Sequence, residues 1–174
     1  MKKTAYLGLF SAVAIIFGYV ETLVPVFAGI PGIKLGLANL VTVFLLYLYN
    51  WSEAAAVSAV RIVVIGFLFG NLFSILFSLA GAALSLLVMV LLKKSGGFSV
   101  AGISVAGGVS HNIGQIVVAA FVVENVKLFY YLPVLLISGL VTGLLIGFLS
   151  GEMIKRIPAL PAGHKRYDSR KDTP

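Results

Sequence analysis

Residues 73–92 read FSILFSLAGAALSLLVMVLL, twenty residues without a charge, and Lys93 and Lys94 close the run. About twenty apolar residues are what a helix needs to cross the hydrocarbon core of a bilayer. The same alternation of long apolar stretch and short basic break organises the whole chain. Of 174 residues 60% are hydrophobic and only 11% are charged, whereas a soluble domain is closer to half apolar and a quarter charged. Further spans are predicted at Thr4–Val24, Leu35–Tyr49, Glu53–Phe69, Ser104–Val123 and Tyr130–Ile154. The apolar runs are continuous and lack ten-residue alternation, which favours helices over a barrel. The predicted fold is therefore an all-α integral membrane protein, a bundle of six transmembrane helices over residues 1–157. Residues 158–174 form a basic tail expected to be disordered.

Cations set the expected orientation. With the N-terminus inside, Lys2, Lys3, Lys93, Lys94, Lys155, Arg156, Lys165, Arg166, Arg170 and Lys171 all fall on the inner side. Only Lys34 and Lys127 fall outside, and Arg61 lies within a span. Such a bias places the loops rich in Lys and Arg in the cytoplasm, with both termini inside a bacterial cell membrane. The net charge of +7 is explained by these helix ends and by anionic lipid headgroups, and nucleic acid is excluded as a partner. Lys2-Lys3, the first apolar run and Val26-Phe27-Ala28 resemble a signal peptide, but the run is long for one and is read as a retained first span.

Polar groups inside the spans are the candidates for function, because each costs several kcal/mol unless it is paired or solvated. Glu21 falls near the outer end of the first span, and Lys34 and Asn39 flank the outer start of the second. Arg61 is near the middle of the third, and Asn71 is in the outer turn before the fourth. His111, Asn112 and Gln115 lie on the fifth. Most belong to the outer half or the midplane, which suggests a ligand pocket opening outward rather than a channel. His111 and Gln115 are four apart and share a helix face, with Asn112 at its edge. An imidazole and two amides suit a polar ligand, and the Arg61 fork suits a carboxylate or phosphate. The alternative is structural, with Arg61 paired to Glu21 and His111 to a backbone carbonyl. In the first outer loop, Pro31-Gly32-Ile33-Lys34 leads into a helix start, where backbone amides favour an anion.

Small residues are patterned. Gly139, Gly143, Gly147 and Gly151 recur every four residues on the last span, and Gly8/Ala12 and Ala14/Gly18 do so on the first. Such ridges serve close helix packing in lipid, either within the bundle or as a docking face for another membrane protein.

Catalytic signatures are missing from the sequence. There is no cysteine, no P-loop and no HExxH pattern. The only aspartates, Asp168 and Asp172, are in the tail, so no aspartate-rich Mg²⁺ site exists in the spans. No metal or other cofactor is expected.

The segments PGIKLGLAN at 31–39, FSLAGA at 77–82, Phe98-Ser99, GGVSHNIGQ at 107–115 and YYLPVLL at 130–136 resemble the Gx transporter family. The resemblance runs in order from about residue 4 to 155. Members carry the label heptaprenyl diphosphate synthase component I, and the family is grouped with the substrate-binding S components of energy-coupling factor (ECF) transporters. The resemblance implies a six-helix, non-enzymatic membrane subunit that captures a small organic ligand, such as a vitamin, a flavin or an isoprenoid-like compound, from outside. It also implies docking on an ECF coupling subunit driven by separate ATPases. S components resemble one another in an Ala-x-x-x-Ala pattern on the first helix, where this chain has Gly8/Ala12 and Ala14/Gly18. The label implies an alternative, a noncatalytic membrane partner of a prenyl diphosphate synthase. Some relatives resemble a component of flavin and quinone extracellular electron transfer, a third kind of partner.

Overall fold

The computed structural model describes residues 2–23 and 36–156, all within one helical bundle. Six α-helices follow in order: α1 (Lys2–Leu23), α2 (Leu37–Leu48), α3 (Trp51–Phe69), α4 (Leu72–Ser95), α5 (Val100–Val122) and α6 (Leu132–Arg156), with a 3₁₀ helix at Val126–Tyr131 ahead of α6. Lys34, the turn before it and the basic tail lie outside the described residues.

Five helices, all but α2, are long and apolar enough to cross a membrane. The second predicted span is the departure. α2 has 12 residues, about 18 Å at 1.5 Å per residue, against a hydrocarbon core of roughly 30 Å. Its start is fixed by Gly36, whose φ of +75° is left-handed backbone that only glycine adopts at little cost. Its end is fixed by the turn at Tyr49 and Asn50, after which α3 begins at once. Leu40 through Leu46 are all buried, as expected of a helix that is apolar all round. α2 packs among α1, α3 and α6 as the core of the bundle.

One end of the bundle collects the basic residues. Lys3 of α1 forms an ion pair with Glu53 in the first turn of α3, and Ser52 Oγ also donates to that carboxylate, at 2.9 Å. Lys93 Nζ, near the end of α4, donates to the carbonyl of Leu46 in the last turn of α2 and lies 4.7 Å from the centre of the Tyr47 ring. A cation at a helix C-terminus meets orphan carbonyls and the negative end of the dipole. We refer to this as the lysine end.

The glycine ridge is used inside the bundle. A Cβ at Gly143 would lie 2.7 Å from Val105 Cα, and one at Gly147 would lie 2.6 Å from Ala101 Cα. Gly139 and Gly108 face each other's carbonyls in the same way. α5 and α6 thus meet backbone to backbone, and this ridge serves packing rather than an external face. Only Gly151 stands back, 3.9 Å from Val100 Cβ. On α1 the two pairs divide. Ala14 and Gly18 are buried, Gly18 against Ile65 of α3, whereas Gly8 and Ala12 are exposed with nothing within 4 Å of a Cβ at Gly8.

Candidate functional site

A cavity of about 270 Å³ occupies the half of the bundle away from the lysine end. It runs from Thr22, Phe69 and Gly70, at the ends of α1 and α3, to Gly108 and Thr142 near the middles of α5 and α6. All six helices contribute to its wall.

Glycines on neighbouring helices decide which side chains reach it. Gly18 of α1 lies 3.7 Å, at the position of a Cβ, from Arg61 Cγ. The apolar stem of Arg61 therefore packs against α1 while its head reaches the cavity, as long cationic side chains do at apolar surfaces. Arg61 Nε is buried and has no hydrogen-bond partner among the described residues. The charge of Glu21 acts on Arg61 from α1, and Glu21 has a contact of its own.

On the other wall, Gly81 of α4 leaves room for two residues of α5. A Cβ there would fall 2.6 Å from Gln115 Cγ and 3.2 Å from His111 Cε1. The absent side chain lets His111 and Gln115 lie against α4 and face the cavity. His111 is itself engaged in a contact. Asn112 is turned differently, because its Nδ2 donates to the Leu135 carbonyl of α6 at 2.7 Å. Gly139 provides the space, with Asn112 Nδ2 only 3.0 Å from where its Cβ would be. Asn112 therefore lines the cavity and ties α5 to α6 at once.

Of the eight sequence-predicted ligand residues, six line this one cavity: Glu21, Asn39, Arg61, His111, Asn112 and Gln115. Asn39 does so from the first turn of the short α2, whose start at Gly36 lies beside Thr142 and Ile146 of α6. Asn71 stands apart from the other six. It does not line the cavity, and its Oδ1 accepts from Ser74 N at 2.8 Å while Ser74 Oγ accepts from Asn71 N at 3.0 Å. This reciprocal pair caps α4. Lys34 lies outside the described residues.

Sequence reasoning missed Ser74 and Ser78 of α4, Thr142 of α6 and the backbone at Gly36, all of which line the cavity. The two serines are four apart in an otherwise apolar run, a signal that was available. A smaller pocket of about 20 Å³ continues beyond the cavity floor between Asn39, Ser85, Ser104 and Thr142, which is room for about one water. No cluster of three or more His, Asp or Glu side chains suited to a metal occurs among the described residues.

Long apolar helices around a partly polar cavity define a multi-pass membrane protein of the helical-bundle class. Within that class, the chain belongs to the family described as heptaprenyl diphosphate synthase component I, whose profile matches residues 10–153. No curated protein and no solved structure matches it.

Proposed function

We propose that this protein is a membrane-embedded binding subunit, of the kind represented by ECF S components, that captures a small organic ligand in the cavity away from its lysine end. The reading rests on one observation: Arg61, His111, Gln115 and Asn39 come from three different helices and line the same cavity. Ile62, Ile65 and Phe69 add an apolar wall, and a few placed polar groups on apolar walls are the usual composition of a small-molecule site. We place the lysine end in the cytoplasm by the positive-inside rule, so the cavity faces outward. The chain has no P-loop, so uptake would draw on ATPases carried by a partner.

The test is native mass spectrometry with small-molecule extraction on protein purified gently from its own membranes. We expect a compound in stoichiometric amount, lost in Arg61→Ala and in His111→Ala while both variants stay folded. Retention of the compound in both variants, or its absence from the wild type, would sink the reading.

The family's name supports a second reading, a noncatalytic membrane partner of a prenyl diphosphate synthase. No aspartate occurs before residue 168, so the diphosphate chemistry would belong to the partner. A synthase subunit or a flavin or quinone redox protein that co-purifies without any small ligand would favour a partner role.

A further inference from the structure

The N-terminus of α2 lies inside the membrane-spanning half of the bundle. A Cβ at Gly36 would be 3.7 Å from both Thr142 and Ile146 of α6. Those residues are roughly 15–21 Å along α6 from its start at Leu132, at 1.5 Å per residue. The first N–H groups of a helix have no partner in their own helix and carry roughly half a positive charge between them. The N-cap, Gly36, has no side chain to cap them, although Asn39 N turns back to the Gly36 carbonyl at 2.8 Å. Gly36 and Asn39 both face the cavity. At this depth lipid offers no hydrogen bonds to backbone.

Two independent observations point to what these amides meet. Gln115 is 6% exposed and lines the same cavity with its carboxamide. Arg61 brings a guanidinium whose buried Nε has no hydrogen-bond partner among the described residues. Three sets of donors thus converge on one space, and a guanidinium fork with helix amides is a donor set made for oxyanions. Half-membrane helices whose N-termini point at anionic groups are a recurring device of membrane transporters. Glu21 marks the α1 side as the negative pole of the cavity, so the anion belongs on the side of α2 and α5.

We infer that the cavity holds the oxyanion of a small organic ligand, a carboxylate or a phosphate, at mid-membrane depth between the α2 N-terminus, Arg61 and Gln115. The inference deepens the capture reading and rests on it. The apolar remainder of such a ligand lies toward Ile65 and Phe69.

The test uses the full chain in detergent micelles, with thermal unfolding followed while sodium phosphate or sodium acetate is titrated against sodium chloride at matched ionic strength. We expect saturable stabilisation by phosphate or acetate beyond that by chloride, and the stronger of the two identifies the oxyanion. Arg61→Gln should weaken the apparent affinity about tenfold or more, the loss of a charge-assisted hydrogen bond expressed as affinity. Gln115→Leu should weaken it by a smaller factor, and it decides the matter if Arg61→Gln does not fold. Equal stabilisation by all three salts, or an anion response unchanged in both variants, would overturn the inference. A neutral compound extracted from the cavity, with no preference among the salts, would overturn the anion and leave capture standing. An anion response lost in the variants, with no co-purifying compound, would uphold the site and count against capture.

Discussion

Substituting alanine along the glycine ridge of α6 should separate close backbone packing from mere smallness. At Gly143 and Gly147 the added Cβ would sit 2.7 and 2.6 Å from the α-carbons of Val105 and Ala101. Ordinary contact begins near 3.4 Å, so each site is about 0.7–0.8 Å too tight, and the obstacle is backbone that cannot swing aside. The helices must part by that amount. A gap of 0.5–1 Å forfeits roughly a quarter to a half of the dispersion energy of the contacts beside it. Overpacking of this kind costs about 1–3 kcal/mol, and the gain in helix propensity from Gly to Ala offsets about 1 kcal/mol. We expect Gly143→Ala and Gly147→Ala to destabilise by up to about 2 kcal/mol. Gly151→Ala and Gly8→Ala, with 3.9 Å and open space respectively, should be neutral or slightly stabilising. The assay is reversible unfolding in mixed micelles, read by circular dichroism, with all four variants in parallel. If the four behaved alike, or if Gly8→Ala were the worst, backbone contact between α5 and α6 would not be what the ridge provides.

Asn112→Ala removes the bond to the Leu135 carbonyl and should lower stability by roughly 0.5–2 kcal/mol, measured in the same assay; no change would mean that the carbonyl is satisfied without it. Ser150 is fully buried, and its Oγ has no hydrogen-bond partner among the described residues, so Ser150→Ala should be neutral or stabilising, and a loss of more than about 1 kcal/mol would reveal a hidden partner. The chain contains no cysteine, so single cysteines report topology cleanly. A membrane-impermeant maleimide should label Asn125→Cys in intact cells and Ser95→Cys only after permeabilisation, and the reverse pattern would invert the orientation. A double-mutant cycle of Lys3→Met and Glu53→Gln should show coupling of at most about 1 kcal/mol, because half of the lysine side chain is in solvent.

The long spans were legible because each is an apolar run closed by a polar break, as α4 is by Lys93 and Lys94. α2 falls within the predicted Leu35–Tyr49, and its 12 residues are short for a span for a local reason. Leu35–Tyr49 is apolar enough for a short span, and composition alone does not reveal that Gly36 takes a positive φ and starts the helix beside Thr142. One wall of the cavity was visible as periodicity, since His111 and Gln115 are four apart on one face. Asn112 was placed at the edge of that face, but its bond to α6 depends on the notch at Gly139, a feature of a neighbouring helix. Asn71 was chosen by depth, without weighing its local chemistry. An Asn three residues before a Ser at a helix start is a cap by itself. The ridge from Gly139 to Gly151 favoured packing but left docking open, because both require small residues, and the position of α5 is what places Gly139, Gly143 and Gly147 against a neighbouring helix.

The packing and the cavity have a common origin. In lipid there is no hydrophobic drive to bring apolar helices together, so α4, α5 and α6 are held by close backbone approach. Gly114 stands 3.0 Å, at its Cβ position, from both the Ala80 carbonyl and Gly81 Cα, just as Gly108 stands 2.6 Å from the Gly139 carbonyl. α1, α2 and α3 instead meet through larger side chains, such as Phe10 against Phe44 and Tyr49. The cavity lies where the two kinds of packing join. Polar side chains are tolerable at that depth only if something positions them, and the glycines do so. Gly81 seats His111 and Gln115, Gly139 seats Asn112, and Gly18 seats the stem of Arg61. A bulkier residue at any of these three positions would displace a polar group from the cavity without touching the group itself. Gly81 and Gly139, which do not line the cavity, are therefore as much a part of its construction as the residues that do.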